Sequence, residues 1–417
     1  MSSLRRREYV RDARSFIKWI VYAGFIGILV GAVGIVFHHG IDEATHIRAQ
    51  IPDMILFLPF CGLVIVQMYS ALGMERDRGT NQVLIAVRDG QQLKLRTAPL
   101  IFISTILTHM AGGSAGREGA ALQLGGSLSA YVGRKIRLDG KDHRVMVMCG
   151  MSAAFSALFG TPLTAAVFSM EVVRVGTMHY AALVPALISA LTAFELAQFT
   201  GMHQKVGYEV GAIALGTPAD LLRTAILGLL CALVSILFCK CMHHAPVVYA
   251  KFLKKPVARA AVGGLLLLGL TLIVGNQNYN GAGDAVIRRL LAGETIPEAF
   301  LLKILFTAVT LGAGFRGGEI VPVLFTGCAF GTWVGPMLGL PHGFAGALGM
   351  AAVFCGATNC PLSSILLAYE LFGGEGLPMY ALACSISYAL SGYYGLYSEQ
   401  EIVYSKYKHE VVEKHAH

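Results

Sequence analysis

The chain contains two related copies of one segment. Residues 150–172 align without a gap on residues 349–371, and Pro361 follows Pro162 by 361 − 162 = 199 positions, close to half of the 417 residues. The identical pairs are Gly150/Gly349, Met151/Met350, Ala153/Ala352, Phe155/Phe354, Pro162/Pro361, Leu163/Leu362 and Glu171/Glu370. Two related halves in an apolar chain, with hydrophobic segments broken by Gly and Pro, are typical of membrane transporters, whose substrate site lies between the repeats. The repeat therefore predicts both the class of protein and the place of its site.

The same spacing extends upstream of these segments. It pairs Gly113 with Gly312, Arg117 with Arg316 and Gly119 with Gly318. In this alignment Glu118 matches Gly317, Ala120 matches Glu319 and Ser114 matches Ala313. The two copies are therefore predicted to share their scaffold and to differ where a ligand would bind.

The composition indicates a membrane protein. Hydrophobic residues make up 55% of the chain and charged residues 14%, whereas charged residues are about a quarter of an ordinary soluble protein. Long apolar windows recur at 17–38, 54–72, 100–111, 145–159, 181–199, 221–238, 260–274, 300–313, 343–354 and 380–393. Several are shorter than the ~20 residues of a straight span, so they need protein or a water-filled cavity around them. We expect an all-α integral membrane protein with many tilted, broken and re-entrant helices.

Charge sets the expected organisation and topology. We divide the chain into a basic N-terminus (1–16), a first membrane repeat (17–200), a junction (201–218), a second membrane repeat (219–398) and a charged tail (399–417). Arginines precede the first span, and further basic residues cluster at 75–96, 134–144, 251–259 and 406–414. These segments and both termini are placed in the cytoplasm. The first apolar window is too long for a signal peptide, and the net charge of +8 follows from topology rather than nucleic-acid binding.

Two Gly-rich segments, each with a carboxylate, are candidate anion sites. In 112–126 the glycines precede an apolar run, so backbone N–H groups and a helix N-terminus can point toward an anion. Glu118 lies at this point, and an ionisable residue among membrane helices is a functional candidate; the alternative is a helix cap paired with Arg117. In 314–325 Glu319 takes a similar place, and a salt-bridged cap is as plausible for it as a role in transport.

Two further segments offer hydrogen-bond donors. Gly79, Thr80 and Asn81 provide N–H, hydroxyl and amide groups suited to a small anion, although a helix N-cap explains them nearly as well. The segment 392–398 carries three tyrosines, which the spacing favours as an interfacial aromatic belt. The alternative is that one of them, Tyr394 or Tyr397, aims its hydroxyl at an anion.

Two further patterns offer an enzymatic and a metal-binding interpretation. The residues 112–116 match G-x-S-x-G, the nucleophile motif of serine hydrolases, with His109 and His143 nearby in the sequence. A hydrolase gives no reason for the second copy of the segment. The cluster 239–244 contains two cysteines and two histidines but lacks the spacing of a zinc site. We therefore expect neither a metal nor a cofactor.

The motifs together resemble the CLC family of chloride channels and proton-coupled anion antiporters. GREGA at 116–120 is similar to the family's GREGP, GGEIVP at 317–322 to GxFxP, and LYS at 396–398 to the segment with the pore-facing tyrosine. The resemblance implies an inverted-repeat, many-helix homodimer with one ion pathway in each subunit. It makes Glu118 the external gating glutamate and Tyr397 the pore tyrosine.

Departures from the family pattern resemble its bacterial fluoride-exporting branch. Residues 79–81 lack the serine and proline of GSGIP, Val172 stands where chloride exchangers carry an internal proton-transfer glutamate, and Glu319 occupies an apolar position. The resemblance implies a fluoride/proton antiporter, a secondary active transporter rather than an enzyme. Its donors to fluoride would be Arg117, Thr80, Asn81, Tyr397 and the backbone of Gly119, Ala120, Ile320 and Val321. A chloride or nitrate channel or antiporter of the same fold is the alternative.

The expected partners are fluoride, protons, the lipid bilayer and a second copy of the chain, in the bacterial cell membrane. A proton route without the usual internal glutamate would use Glu118, and Glu319 is the candidate for a second proton-carrying group.

Overall fold

The computed structural model describes residues 3–202, 208–211, 213, 217–408 and 410–417, with side chains from residue 11 onward. The first repeat contains the helices α1 (Ser3–Gln50), α2 (Leu58–Ala71), α3 (Thr80–Asp89), α4 (Thr97–Met110), α5 (Glu118–Lys135), α6 (Gly140–Phe159), α7 (Pro162–Glu171) and α8 (Leu183–Phe199). The second contains α9 (Pro218–Phe252), α10 (Pro256–Val274), α11 (Asp284–Leu291), α12 (Ala299–Gly312), α13 (Ile320–Met337), α14 (His342–Thr358), α15 (Pro361–Phe372) and α16 (Leu377–Leu390). Most of the predicted junction, 201–218, lies outside the described residues.

The helices differ widely in length, as the apolar windows predict. Among the described residues, six helical stretches are long and apolar enough to cross a membrane: Arg11–Gln50, Pro52–Ala71, Tyr180–Phe199, Pro218–Phe252, Pro256–Val274 and Ile320–Met337. Five other apolar helices, including α4 and α12, are shorter. Because unpaired backbone is costly in lipid, short helices need protein around them, and the short helix α14 is buried along most of its length.

The N-terminal segment is not separate from the first span. Residues 3–16 belong to α1, which continues without a break to Gln50, so the span predicted at 17–38 extends twelve residues further. This continuity has a local cause, since the described N-terminal sequence contains neither Gly nor Pro before Gly24.

The repeat is present in the fold, but its register shifts along the chain. Helices α4 and α12 have 14 residues each, α5 and α13 have 18 each, and both pairs begin 202 positions apart. Helix α6 has 20 residues and α14 has 17, so the spacing returns to 199 at Pro162 and Pro361. The predicted pairing of Glu118 with Gly317, Ala120 with Glu319 and Ser114 with Ala313 is therefore wrong by three residues. The structural equivalents are Arg117 with Glu319 and Glu118 with Ile320.

The C-terminal tail adds a small sheet that the sequence did not predict. Strand β2 (Glu401–Tyr404) pairs in parallel with β1 (Arg174–Val175) and antiparallel with β3 (Val411–His415). The side chain of Gln400, immediately before β2, donates to the carbonyls of Val172 and Thr358 at 2.9 and 2.8 Å. The tail is thereby joined to the ends of α7 and α14, one helix from each repeat.

Candidate ion-transport site

The loops before α5 and α13 meet at the centre of the molecule. Gly116 and Gly318 exchange two backbone hydrogen bonds of 2.7 Å as an antiparallel bridge between the two repeats. A Cβ on Gly318 would lie 2.4 Å from the backbone nitrogen of Gly119, so this approach requires glycine. Both helices begin two residues after the bridge, and the first N–H groups of a helix have no partner within it.

The carboxylate of Glu118 lies at the start of α5. It is 2% exposed, accepts the N–H of Arg117 at 3.0 Å and lies 3.4 Å from the Arg117 Nε. The pairing with Arg117 expected for a cap is thus present, but the accepted N–H also puts the carboxylate where a helix N-terminus would bind an anion. The Glu118 side chain therefore occupies this position.

A cavity of about 240 Å³ opens on one side of Glu118. Its lining includes Arg117, Val321, Asp42 and His38. His38, Asp42 and Arg117 form a chain of contacts, since His38 Nε2 lies 2.9 Å from Asp42 and Asp42 lies 3.2 Å from Arg117. We call this space of about 240 Å³ the Glu118 cavity. Its polar lining can hold water and exchange protons with the carboxylate.

A larger cavity, of about 940 Å³, contains Glu319 in its wall. We call it the Glu319 cavity. Glu319 is the residue before α13, yet it makes no side-chain capping hydrogen bond, and its Oε2 is buried without a partner among the described residues. The salt-bridged cap considered for Glu319 is therefore wrong, because no described cation pairs with it. An oxygen in this state can hold a proton or accept a hydrogen bond from a ligand.

Residues 79–81 line the Glu319 cavity. Gly79 precedes α3 with φ 62°, and no side chain caps this helix, so the N-cap interpretation of Thr80 and Asn81 is wrong. The Thr80 hydroxyl instead donates to Gly119 O at 3.3 Å, and Asn81 Oδ1 accepts the N–H of Glu399 at 3.1 Å. Gly119, Ala120 and Ile320 are buried beside the bridge between Gly116 and Gly318.

Tyr397 and Tyr394 occupy different places. Tyr397 is 2% exposed, lines the Glu319 cavity, and its hydroxyl has no partner among the described residues. The aromatic-belt interpretation does not fit this residue. Tyr394 is half-buried and outside the lining of either cavity, with its ring 4.9 Å from Lys240 Nζ. Of these two tyrosines, Tyr397 is therefore the one that lines a cavity with the carboxylates.

The alternative motifs do not assemble into sites. The Ser114 hydroxyl is bonded to Thr307 at 3.0 Å, and His109 Nδ1 lies 2.9 Å from Thr105 O, so neither the serine nor the histidine supports a hydrolase dyad. His143 Nε2 lies 3.1 Å from Ala130 O. In the 239–244 cluster, His243 bonds to Leu396 O at 3.1 Å.

Comparison with known proteins identifies the family of this chain. The family description "Voltage gated chloride channel" matches residues 60–392. The chain belongs to this family, the CLC proteins.

Relatives within the CLC family include both chloride and fluoride proteins. A "Chloride/fluoride channel protein" of Pseudomonas syringae pv. tomato is 34% identical over 99% of this chain and 93% of its own length. An H+/Cl− exchange transporter of Yersinia pestis is 24% identical over 88% of this chain and 82% of its own. Among solved structures, a CLC-type fluoride/proton antiporter has a TM-score of 0.88 at 32% identity, covering 92% of this chain and 98% of that one. A cyanobacterial Cl−/H+ antiporter has a TM-score of 0.74 at 18% identity, covering 89% and 94%, and supports the fold alone.

Sequence reasoning missed two residues of this CLC site. Gln123, in α5, is 3% exposed and lines the Glu319 cavity with its Oε1 unpartnered among the described residues. Arg316 lines the same cavity, with its guanidinium 4.1 Å from the Tyr69 ring centre. A polar residue five positions after Glu118 on a buried helix was the available signal for Gln123. Arg316 was hidden because the sequence alignment paired it with Arg117.

Proposed function

We propose that this protein is a fluoride/proton antiporter that exports fluoride from the cytoplasm in exchange for protons. The observation that carries the proposal is the position of the Glu118 carboxylate, which accepts a backbone N–H at the start of α5 and lines the Glu118 cavity. When charged, it competes with an anion for this position. When it binds a proton, the competition ends and the anion can enter, so proton and anion movements are linked.

Fluoride is the anion that the surrounding groups fit best. It is small, strongly hydrated and a strong hydrogen-bond acceptor, so removing its water requires strong donors. The Tyr397 hydroxyl is buried and unpartnered among the described residues, and the first N–H groups of α5 and α13 are further donors. The similarity to the CLC-type fluoride/proton antiporter structure supports the same choice.

The proposal includes an orientation and an assembly. The basic segment 75–96 borders the Glu319 cavity, so we place this cavity on the cytoplasmic side and the Glu118 cavity outside. In this orientation both termini lie in the cytoplasm. The membrane that the protein spans would be a bacterial cell membrane. As the CLC resemblance implies, the protein would act as a homodimer with one pathway in each subunit.

Ion flux from proteoliposomes tests the proposal. Liposomes that contain the protein and are loaded with fluoride or chloride would be diluted under an imposed proton gradient, with fluoride and chloride electrodes and a pH-sensitive dye as readouts. We expect fluoride efflux faster than chloride efflux, together with proton uptake. Faster chloride flux would identify a chloride transporter, and fluoride flux without proton movement would identify a channel.

Variants of two residues separate transport from hydrolysis. Glu118→Gln cannot exchange a proton, so it should lose coupled exchange by about a hundredfold or more, the scale at which a positioned acid–base group contributes. Ser114→Ala should retain exchange. The reverse pattern, with loss of function in Ser114→Ala alone, would favour the hydrolase.

A further inference from the structure

The carboxylates of the Glu319 cavity differ in how their oxygens are used. Four of them line its wall: Glu75, Asp77, Glu319 and Glu399. Glu75 is exposed and accepts the Ser70 hydroxyl at 3.0 Å, and Glu399 pairs with Arg78 and Arg88 at 2.8 and 3.5 Å. Asp77 and Glu319 each keep a buried oxygen without a partner among the described residues.

Asp77 is held in one orientation by its other oxygen. Its side chain is 1% exposed, and Oδ1 accepts the N–H of Gly79 at 2.7 Å and lies 3.8 Å from Arg316 Nη1. The opposite oxygen, Oδ2, is the unpartnered one. A buried acceptor left without a donor is unfavourable, so Oδ2, in the wall of the Glu319 cavity, is available to take a proton.

Asp77 also lies at a boundary between two spaces. Besides the Glu319 cavity, it lines a second cavity of about 210 Å³ whose wall includes Arg76 and Lys94. Asp77 therefore lines both the Glu319 cavity and this smaller cavity, which lies in the basic segment that we place in the cytoplasm.

The usual internal proton route is closed in this chain. Val172, at the position of the internal glutamate in chloride exchangers, is fully buried and cannot carry a proton. Its neighbour Glu171 already accepts two backbone N–H groups and the Ser363 hydroxyl. A proton that enters through Glu118 must therefore leave through another group.

We propose that Asp77 is the cytoplasmic proton acceptor of the exchange cycle, an inference that rests on the proposed function. The O–H bond of protonated Glu319 breaks, the proton passes through water in the cavity, and a new O–H bond forms at Asp77 Oδ2. Asp77 then releases the proton to the cytoplasm. No electron is transferred, and the carboxylate left at Asp77 is stabilised by the Arg316 guanidinium.

The charged and titratable groups around Asp77 come from every neighbouring element. Those that line its two cavities are Tyr69 of α2, Glu75, Arg76 and Arg78 on its own segment, Lys94 before α4, Arg259 of α10, Arg316 and Glu319 before α13, and Tyr397 and Glu399 after α16.

Asp77→Asn tests the inference, because it keeps the shape of the side chain and removes the proton site. In proteoliposomes, we expect the proton flux to fall at least about tenfold and the proton-to-fluoride ratio to fall with it. Fluoride binding, measured by calorimetry on purified protein, should stay within about twofold of wild type. Asp77→Glu should restore at least half of the proton flux, and Glu75→Gln, in the same wall, should leave flux and binding unchanged.

Two outcomes would overturn the inference. One is a wild-type proton-to-fluoride ratio in Asp77→Asn. The other is loss of both fluoride binding and monodispersity without recovery in Asp77→Glu, which would make Asp77 structural. Wild-type protein that moves no fluoride, or moves it without protons, would instead overturn the proposed function.

Discussion

Glu171 and Glu370 cap the first turns of one another's helices. Glu171, the last residue of α7, accepts the backbone N–H groups at 362 and 363 in α15, at 3.1 and 2.8 Å. Glu370, in α15, accepts those at 163 and 164 in α7, at 2.8 and 2.9 Å. Because the two caps are exchanged between the repeats, they fix the pseudo-twofold relation where the two sequence copies agree best.

This exchange predicts that Glu171→Gln lowers stability without changing coupling. The amide offers one oxygen in place of two and directs its NH2 group at backbone donors. Losing a hydrogen bond to a charged group costs about 1.5–3 kcal/mol, so the thermal unfolding midpoint in detergent should fall. Glu195→Gln, at an exposed position of α8, is the matched control and should unfold as wild type. If the Glu171 variant is stable but loses proton coupling, Glu171 belongs to the proton pathway.

The sequence predicted the local features of the fold well. Pro162 and Pro361, an identical pair in the sequence repeat, begin α7 and α15, because proline suits the first turn of a helix, where its missing N–H costs nothing. The register further upstream was not predictable. Helix α14 is three residues shorter than α6, so the register changes within a helix and not in a loop. Chance identities such as Arg117/Arg316 favoured the wrong alignment.

The site was predicted only in part, for a physical reason. Glu118, Glu319 and Tyr397 stand in motifs that local chemistry makes recognisable. The Glu319 cavity, however, is lined by residues of seven helices from both repeats and by the segments before α3, before α13 and after α16. Which polar atoms are left unpartnered there, as in Gln123, depends on contacts between residues far apart in the chain.

Glu319→Gln is predicted to disrupt proton coupling while the protein remains folded. The unpartnered Oε2 contributes no hydrogen bond to the described fold, so the isosteric amide should leave the unfolding midpoint nearly unchanged. The same change removes a group that can hold a proton between Glu118 and the cytoplasm. Proton uptake and fluoride efflux measured together in proteoliposomes check this expectation. Intact coupling in the variant would assign Glu319 a structural role.

Docking of the tail is predicted to strengthen at alkaline pH. Lys406 Nζ is bonded to Tyr388 O and Ser391 Oγ at 2.9 and 3.0 Å, and burial lowers the pKa of Lys406 from 10.5 to about 8. Between these values the undocked tail holds a proton that the docked tail lacks, so docking gains stability as the pH rises from about 8 to 10.5 and is constant below about 8.

Hydrogen exchange of the tail strands measures this effect. After correction for intrinsic exchange, protection of β2 and β3 should be greater at about pH 9.5 than at about pH 7.5. Lys406→Met should abolish the difference, because its side chain does not titrate. Protection that falls over this range in the wild-type protein would contradict the prediction.

Tyr397→Phe is predicted to weaken fluoride binding and to leave the fold intact. Its hydroxyl has no described protein partner, so removing it breaks no internal hydrogen bond. A hydrogen bond to a charged ligand is worth about 1.5–3 kcal/mol, which corresponds to fluoride affinity about 10- to 150-fold weaker. Tyr394→Phe, in the same segment but outside the cavity lining, should bind fluoride as wild type does. Calorimetric titration with fluoride distinguishes the two variants, and equal affinities would show that Tyr397 does not donate to the ion.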